Sequence, residues 1–519
     1  MKSLPNHAVS LQVLALSLLG TQSAWAQRAS QDPVAPAPVA APSTQQQLST
    51  PRVAPTPVAP QATELPEIVH AQPGGLTADQ AARRALEVSF GVEAARAGVR
   101  VAELQQREAG WAMVPNLNAS FRYTRLSDIV PGTIPFFDTA GCLNDLGRCM
   151  TMPESFQRNV VLQQPILNNM TFRLSLAIPV SDMVLRLREF YLSAGHQAEA
   201  RRLDLETQRA TAALQARESY FEYVRAVGSL AASEQALALT QRRAQDVAHL
   251  SEVGMVAPAD LFVVRSAVAS SELRVIQTRN LVSLMELQLR QRLRLAASEP
   301  LVIGESIEEL PQVPSESLAN MVDNAVRTRP EVLSIERQAH ALDATRRATV
   351  AGMIPSLTIA GNLDAANPNQ RIFPQREGEF VTTWDVTAQI SWSPNSLLAG
   401  TAATARIDAQ RSQILAQMAQ LRDGLETEVR AQYNSLVGAR ASIEAARVAL
   451  IAATETHRVR RERLSVGATT QTELSDAETQ LFSARVQLLN AYVDLRLALV
   501  RLRRAAGHPD SALTAGSNS

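Results

Sequence analysis

The stretch Ser465-Val466-Gly467-Ala468-Thr469-Thr470-Gln471-Thr472-Glu473-Leu474-Ser475-Asp476 decides how this chain is read. It joins two long segments rich in Ala, Leu, Arg, Gln and Glu and nearly free of Gly and Pro, a composition that favours helix. Gly467 can take the left-handed dihedrals that end one helix, and Thr470 with Glu473 has the spacing of a capping box that opens the next. A sister stretch lies earlier: Glu252-Val253-Gly254-Met255-Val256-Ala257-Pro258-Ala259-Asp260. There Gly254 is the stop, and Pro258 suits a first helical position. Two matching tips predict two long helical hairpins.

The repetition extends beyond the tips. Pro115-Asn116-Leu117-Asn118 and Pro355-Ser356-Leu357-Thr358 stand 240 residues apart (355 − 115), whereas the tip glycines are 213 apart (467 − 254), as are Tyr220 and Tyr433. Most of the difference falls on one loop, longer in the first copy, that holds Cys142 and Cys149. Each copy therefore reads as helix, strand, loop, strand, very long helix, tip, long helix. Residues 401–464 as a single helix would be about 95 Å long, and 183–252 similar. Ile407, Ile414 and Leu421, with Met418 and Leu425 four residues after the last two, set a coiled-coil-like seam. Rods of that length pack side by side along their whole length, against one another or against other chains.

The predicted strands alternate. Leu117, Ala119, Phe121 and Tyr123 face one way, and Asn118, Ser120, Arg122 and Thr124 the other. Phe172, Leu174, Leu176 and Ile178 alternate with Thr171, Arg173, Ser175 and Ala177; Leu357, Ile359 and Leu363 with Ser356, Thr358 and Asn362. The last strand sets Trp384, Val386, Ala388, Ile390 and Trp392 against Thr383, Asp385, Thr387, Gln389 and Ser391. One apolar and one polar face suits a membrane β-barrel, although a sheet lying on a core alternates in the same way. Trp384 and Trp392 share a face about 27 Å apart along a strand, the separation of two interfacial aromatic girdles, with core tryptophans as the alternative. Trp111 lies just before the first strand, near where that chain would enter the membrane, and is expected as a third interfacial aromatic. Four strands cannot close a membrane barrel, and open edges are not tolerated in lipid, so a barrel reading requires several copies.

The remaining sequence narrows the classes. Lys2 and His7, the apolar run Leu11–Leu19 and Ala24-Trp25-Ala26 make residues 1–26 an export signal rather than a buried helix. Residues 27–73, rich in Pro, Ala, Val and Gln, read as an extended linker. The two repeats then occupy 74–300 and 301–506, with a flexible tail at 507–519. In an exported chain Cys142 and Cys149 are expected to form a disulfide, free thiols being the alternative. Acidic and basic residues balance at 50 each, which gives no footprint for nucleic acid. The seven histidines show no metal-ligand spacing, and no nucleophile–base or phosphate-loop signature appears, so no metal, cofactor or enzymatic activity is expected.

From about Leu76 to Gly507 the chain resembles the TolC-like outer-membrane efflux protein family. The resemblance rests on the Pro-x-Leu strand starts at Pro115 and Pro355, the strand-closing Pro179 and Pro394, Tyr220 and Tyr433, and the Val-Gly tips at 253–254 and 466–467. It implies an α+β membrane protein, a homotrimer with a twelve-stranded outer-membrane β-barrel in lipid, continuous with an α-helical coiled-coil periplasmic tunnel. It also implies a periplasmic adaptor and an inner-membrane transporter as partners, and passive conduction of small molecules as the exit duct of a tripartite pump. A duct for type I protein secretion is the alternative within the family, and a periplasmic coiled-coil scaffold without a barrel the alternative outside it. Glu473 and Asp476 match two acids that line the periplasmic constriction in the family's best-known members, and Asp260 matches Glu473 at the first tip, where Val263 replaces the second acid. The chain departs from the family in lacking a Gly-Gly pair after each second strand. It also has Thr469 and Leu464 where an Arg and a Tyr help latch the gate.

Overall fold

A computed structural model describes residues 72–508 except 131, 162–164, 313–314 and 373–377. The export signal, the linker up to residue 71 and the tail from 509 lie outside the described residues.

Each copy opens with two helices: α1 (Ala78–Val88) and α2 (Phe90–Trp111) in the first, α8 (Leu318–Thr328) and α9 (Pro330–Ala351) in the second. Thr77 and Gln80 form a full capping box on α1, and Pro330 begins α9. Strands follow: β1 (Asn116–Arg125) and β4 (Asn168–Ile178), then β5 (Ser356–Asn367) and β6 (Val381–Ser391). They form one antiparallel sheet in the order β1-β4-β5-β6, so β1 and β6 are unpaired edges within one chain. The loop of the first copy, expected as a plain loop, is an ordered excursion. It holds a two-stranded ribbon of β2 (Thr133–Phe137) and β3 (Gln157–Val161), with α3 (Thr139–Asn144) and α4 (Leu146–Thr151) between them.

Beyond the sheet run the hairpins. A three-residue α5 (Val180–Asp182) and a π-helical turn (Met183–Leu187) lead into α6 (Arg188–Glu252), which pairs with α7 (Pro258–Leu293). The expected unbroken helix from residue 183 thus starts with a widened turn, at the junction that lacks the family's Gly-Gly pair. In the second copy α10 (Asn395–Ser465) runs straight out of the sheet and pairs with α11 (Gln471–Ala505).

Packing along α11 explains why the rods lie side by side. Leu474, Leu481, Leu488, Leu495 and Leu502 recur every seven residues, as do Ala477, Ala484, Ala491, Ala498 and Ala505, and all ten are buried. A Leu/Ala heptad buries a large side chain on every other contact and lets the backbones approach on the rest. Val429, Leu436, Ile443 and Leu450 form the facing seam on α10. The seam expected at Ile407, Ile414, Met418, Leu421 and Leu425 is buried only at Ile407 and Leu425. That half of α10 lies beside α9, so part of its apolar stripe has no cover within one chain.

The middle of the hairpins is girdled by α1, α8 and the crossing of the two repeat starts. Leu76 and Ile303 form a parallel bridge there, and a Cβ at Gly304 would lie 2.2 Å from the Gly75 carbonyl oxygen, so the crossing needs glycine. Tyr220 is fully buried in this region with Val224, Leu293, Ile307 and Met321, whereas Tyr433 packs at its margin. At the start of α9, Glu331 sits between Arg329 (3.0 Å) and Arg504 (2.5 Å) of α11. Burial alone would raise its carboxyl pKa; the two guanidinium groups override burial and hold it at about 2. Glu331 therefore contributes its full stabilisation above the ordinary carboxylate pKa, and loses it as pH falls toward 2. Unfolding measured at pH 7, 5 and 3 should show little change down to pH 5 and about 2 kcal/mol lost by pH 3, out of about 3 kcal/mol in all. Glu331→Gln should remove that part of the acid sensitivity; an unchanged pH profile in the variant would refute it.

Candidate functional site

The two tips are the same device. In the first, the Met255 N–H donates to the Leu250 carbonyl (2.8 Å) and Gly254 N–H to Ser251 (3.1 Å); in the second, Ala468 N–H donates to Arg463 (2.8 Å) and Gly467 N–H to Leu464 (3.0 Å). These are Schellman closures, with Gly254 at φ +73° and Gly467 at +72°. Space around both glycines is open, so what requires Gly is the dihedral and not a close neighbour.

After the tips the copies differ. Pro258 starts α7, with Asp260 half-buried in its first turn and Val263 exposed. Thr470 caps α11 by accepting from the Glu473 N–H (3.2 Å). The capping box expected with Glu473 is only half formed, because that carboxylate turns elsewhere. It accepts from the Thr469 hydroxyl and from Arg460 Nη1 (2.5 Å). The Thr469 hydrogen bond first, then the charges of Arg460 and Arg463, hold the carboxyl below its ordinary range. Asp476 stands one turn on, exposed and on the same helix face. The structure thus gives Glu473 a cation within its own hairpin. Arg460 and Glu473 lie seven residues before and six after Gly467, so they face each other across the turn. That symmetry was readable in the sequence and was missed.

Five residues beyond Glu473, Glu478 meets Arg243 of α6 at 2.6 Å, with both side chains nearly buried. Burial pushes the Glu478 carboxyl up while Arg243 pulls it down, and burial prevails. Arg274 of α7 lies 4.5 Å over the Phe482 ring, a second tie between the two hairpins. No sequence spacing pointed to either contact, since each joins helices from different copies.

At the other end the register puts Leu117, Ala119, Phe121 and Tyr123 opposite Leu176, Leu174, Phe172 and Met170. Leu174, Leu176 and Ile178 oppose Leu363, Gly361 and Ile359, and Leu363 and Gly361 oppose Trp384 and Val386. All these side chains share one face of the sheet. The other face is laced with polar pairs: Arg173 makes two hydrogen bonds to Asp364 (2.6 and 3.0 Å), and Asp385 accepts from Asn362 (2.9 Å) and Arg371 (3.0 Å). Arg173 and Asp385 are therefore internally paired, not free charges on that face. Trp384 is exposed on the apolar face toward the loop end. Trp392 and Trp111 lie at the helix end, where Trp392 Nε1 donates to the Met353 carbonyl (3.1 Å). Cys142 and Cys149 form a disulfide that staples the excursion. No described helix is long and apolar enough to cross a membrane, and the described residues hold no group of three or more ligating side chains placed for a metal ion.

No curated protein sequence matches the chain. Among solved structures, CusC is similar over 83% of this chain and 92% of its own, with a TM-score of 0.68 at 16% identity. The CmeC outer membrane channel of Campylobacter jejuni aligns over 84% of this chain and 88% of its own, at 0.66 and 14% identity. The open-state MtrE outer membrane channel of Neisseria gonorrhoeae aligns over 83% and 88%, at 0.64 and 14%. At such identities the likeness concerns the fold. The sequence pattern of the family described as outer membrane efflux protein matches residues 321–508, nearly all of the second repeat. The chain thus carries the pattern of the outer membrane efflux proteins over its second repeat, within a fold that both repeats share with solved outer membrane channels.

Proposed function

We propose that this chain is the outer-membrane exit duct of an efflux system, a homotrimer whose three sheets close a twelve-stranded barrel above a helical periplasmic tunnel. One observation carries the reading: a four-stranded sheet with one continuous apolar face and two open edges, rooted on helices of 65 and 71 residues. Successive strands are antiparallel, so β1 and β6 run in opposite directions and β6 of one copy can extend β1 of the next. Closure removes both edges, and the apolar face then meets lipid while the Arg173–Asp364 and Asp385 network faces water. CusC, described as forming a transmembrane channel, and the CmeC and MtrE channels support the reading through their fold. The uncovered stripe on the sheet-proximal half of α10 would be met by a neighbouring copy. A periplasmic adaptor and an inner-membrane transporter complete the assembly in this reading, with small molecules as cargo. Recovery from outer-membrane fractions as a heat-modifiable oligomer that conducts in planar bilayers is the expected result; a purely soluble periplasmic protein would overturn it.

The second tip is the proposed constriction. Three Asp476 side chains would form a bare acidic ring, while each Glu473 is already matched by Arg460. Asp260 gives the first tip a weaker acidic contribution. Asp476→Ala should therefore lower cation preference by a factor on the order of two, given a Debye length of about 8 Å. Glu473→Ala should change it less, and Arg460→Gln should raise it by unmasking Glu473. Equal effects of the two acid replacements in single-channel recordings would rule this arrangement out.

A further inference from the structure

The excursion between β1 and β4, residues 126–167, is left unexplained by the duct itself. Among its described residues only Cys149 is buried. Its apolar side chains stand out: Phe136 is 67% exposed, Leu143 72% and Met150 83%, with Ile134 and Val160 also exposed. The ribbon register pairs Ile134 with Val160 and Phe136 with Arg158, which puts Ile134, Phe136 and Val160 on one face with Arg158 as its single charged member. A two-stranded ribbon is marginal in water, and one with a mostly apolar exposed face more so. Its polar residues are committed locally: the Asp138 and Asp145 carboxylates accept from the Gly141 and Arg148 N–H groups, capping α3 and α4. With the disulfide, these caps hold the shape of a module that has no core of its own.

Where the module is rooted indicates what covers it. It leaves the sheet directly from β1, an unpaired edge, and the Leu126 N–H donates to the Leu167 carbonyl (2.8 Å) at its base. The opposite edge, β6, begins at the same end of the sheet, directly after the exposed Phe380. When β6 of one copy extends β1 of the next, Phe380 of that copy is brought to the base of this excursion. We propose that the disulfide-stapled excursion is an intersubunit clasp, its Ile134/Phe136/Val160 face packing on Phe380, at the start of β6, in a second copy of this chain. The clasp rests on the trimeric reading above. It locks the strand closure at the loop end of the sheet, in apolar contacts that β1–β6 hydrogen bonds alone do not supply.

The test is a photo-crosslinking amino acid at Phe136 in the full chain, irradiated in outer membranes. A product of two copies, lost when Phe380 is replaced by Asp, is the expected result. Crosslinks only to lipid or to another protein, or no crosslink while the chain still migrates as a heat-modifiable oligomer, would overturn the clasp and leave the duct standing. A chain that migrates as a monomer throughout would overturn the duct and the clasp with it. Cys142→Ser with Cys149→Ser supplies a second variant: the oligomer should still form but dissociate at a lower temperature, and an unchanged dissociation temperature counts against the clasp.

Discussion

Replacing Glu478 with Leu should destabilise the protein by about 3–5 kcal/mol, the cost of leaving a buried charge without its partner. Arg243 is 7% exposed at its side chain, and its Nε and Nη2 already lack hydrogen-bond partners. Its only ion pair among the described residues is Glu478, so Glu478→Leu strands a guanidinium between α6 and α11. Removing both charges, with Arg243→Met added, should recover most of the loss, because the desolvation penalty disappears with the charge. A double-mutant cycle by denaturant unfolding in detergent measures this directly. If Glu478→Leu alone is neutral, solvent reaches the pair and its burial counts for little. The position of the pair makes the loss functional as well as structural. It joins the first hairpin to the second just above the proposed constriction, so its removal should loosen the placement of Asp476 relative to the Asp260 tip.

The second large effect is expected in the sheet. Leu174 and Ser175 are adjacent on β4 and point to opposite faces, with Leu174 opposite Ala119 and Leu363, and Ser175 opposite Asn118 and Asn362. Leu174→Arg puts a charge on the apolar face, where each copy should lose about 2–4 kcal/mol in lipid. Summed over the three copies of the proposed trimer, this should abolish the heat-modifiable oligomer or deplete it from the outer membrane. Ser175→Arg adds the same charge to the polar face, beside groups already solvated or paired, and should assemble normally. Equal tolerance of both changes would show that the apolar face does not meet lipid; equal failure would show that both faces are packed. The contrast isolates which face is which, independently of conductance.

Much of this architecture is legible in the sequence because its signals are local. Gly254 and Gly467 mark the tips through a dihedral requirement, and Pro258 and Thr470 mark the next helix starts through their capping chemistry. The alternation of Leu117 to Tyr123 and of Trp384 to Trp392 assigns faces without any knowledge of strand order. The Leu/Ala heptad of α11 was equally local, and it carries more of the buried seam than the α10 residues chosen from the same periodicity. Ile414, Met418 and Leu421 satisfied the pattern yet are only half-buried, because a stripe shows what must be covered and not what covers it.

What the sequence by itself determined is therefore the repeat, the two tips, the two-faced strands and the position of the acids at 473 and 476. Tertiary structure alone decided which distant charges meet: Arg243 with Glu478 between hairpins, and Arg173 with Asp364 between strands. It also turned a loop containing two cysteines into a stapled ribbon with an uncovered apolar face. The division has one physical cause. Backbone dihedrals and amphipathic period are set by neighbours along the chain, whereas an ion pair or an exposed face depends on the register in which distant segments pack.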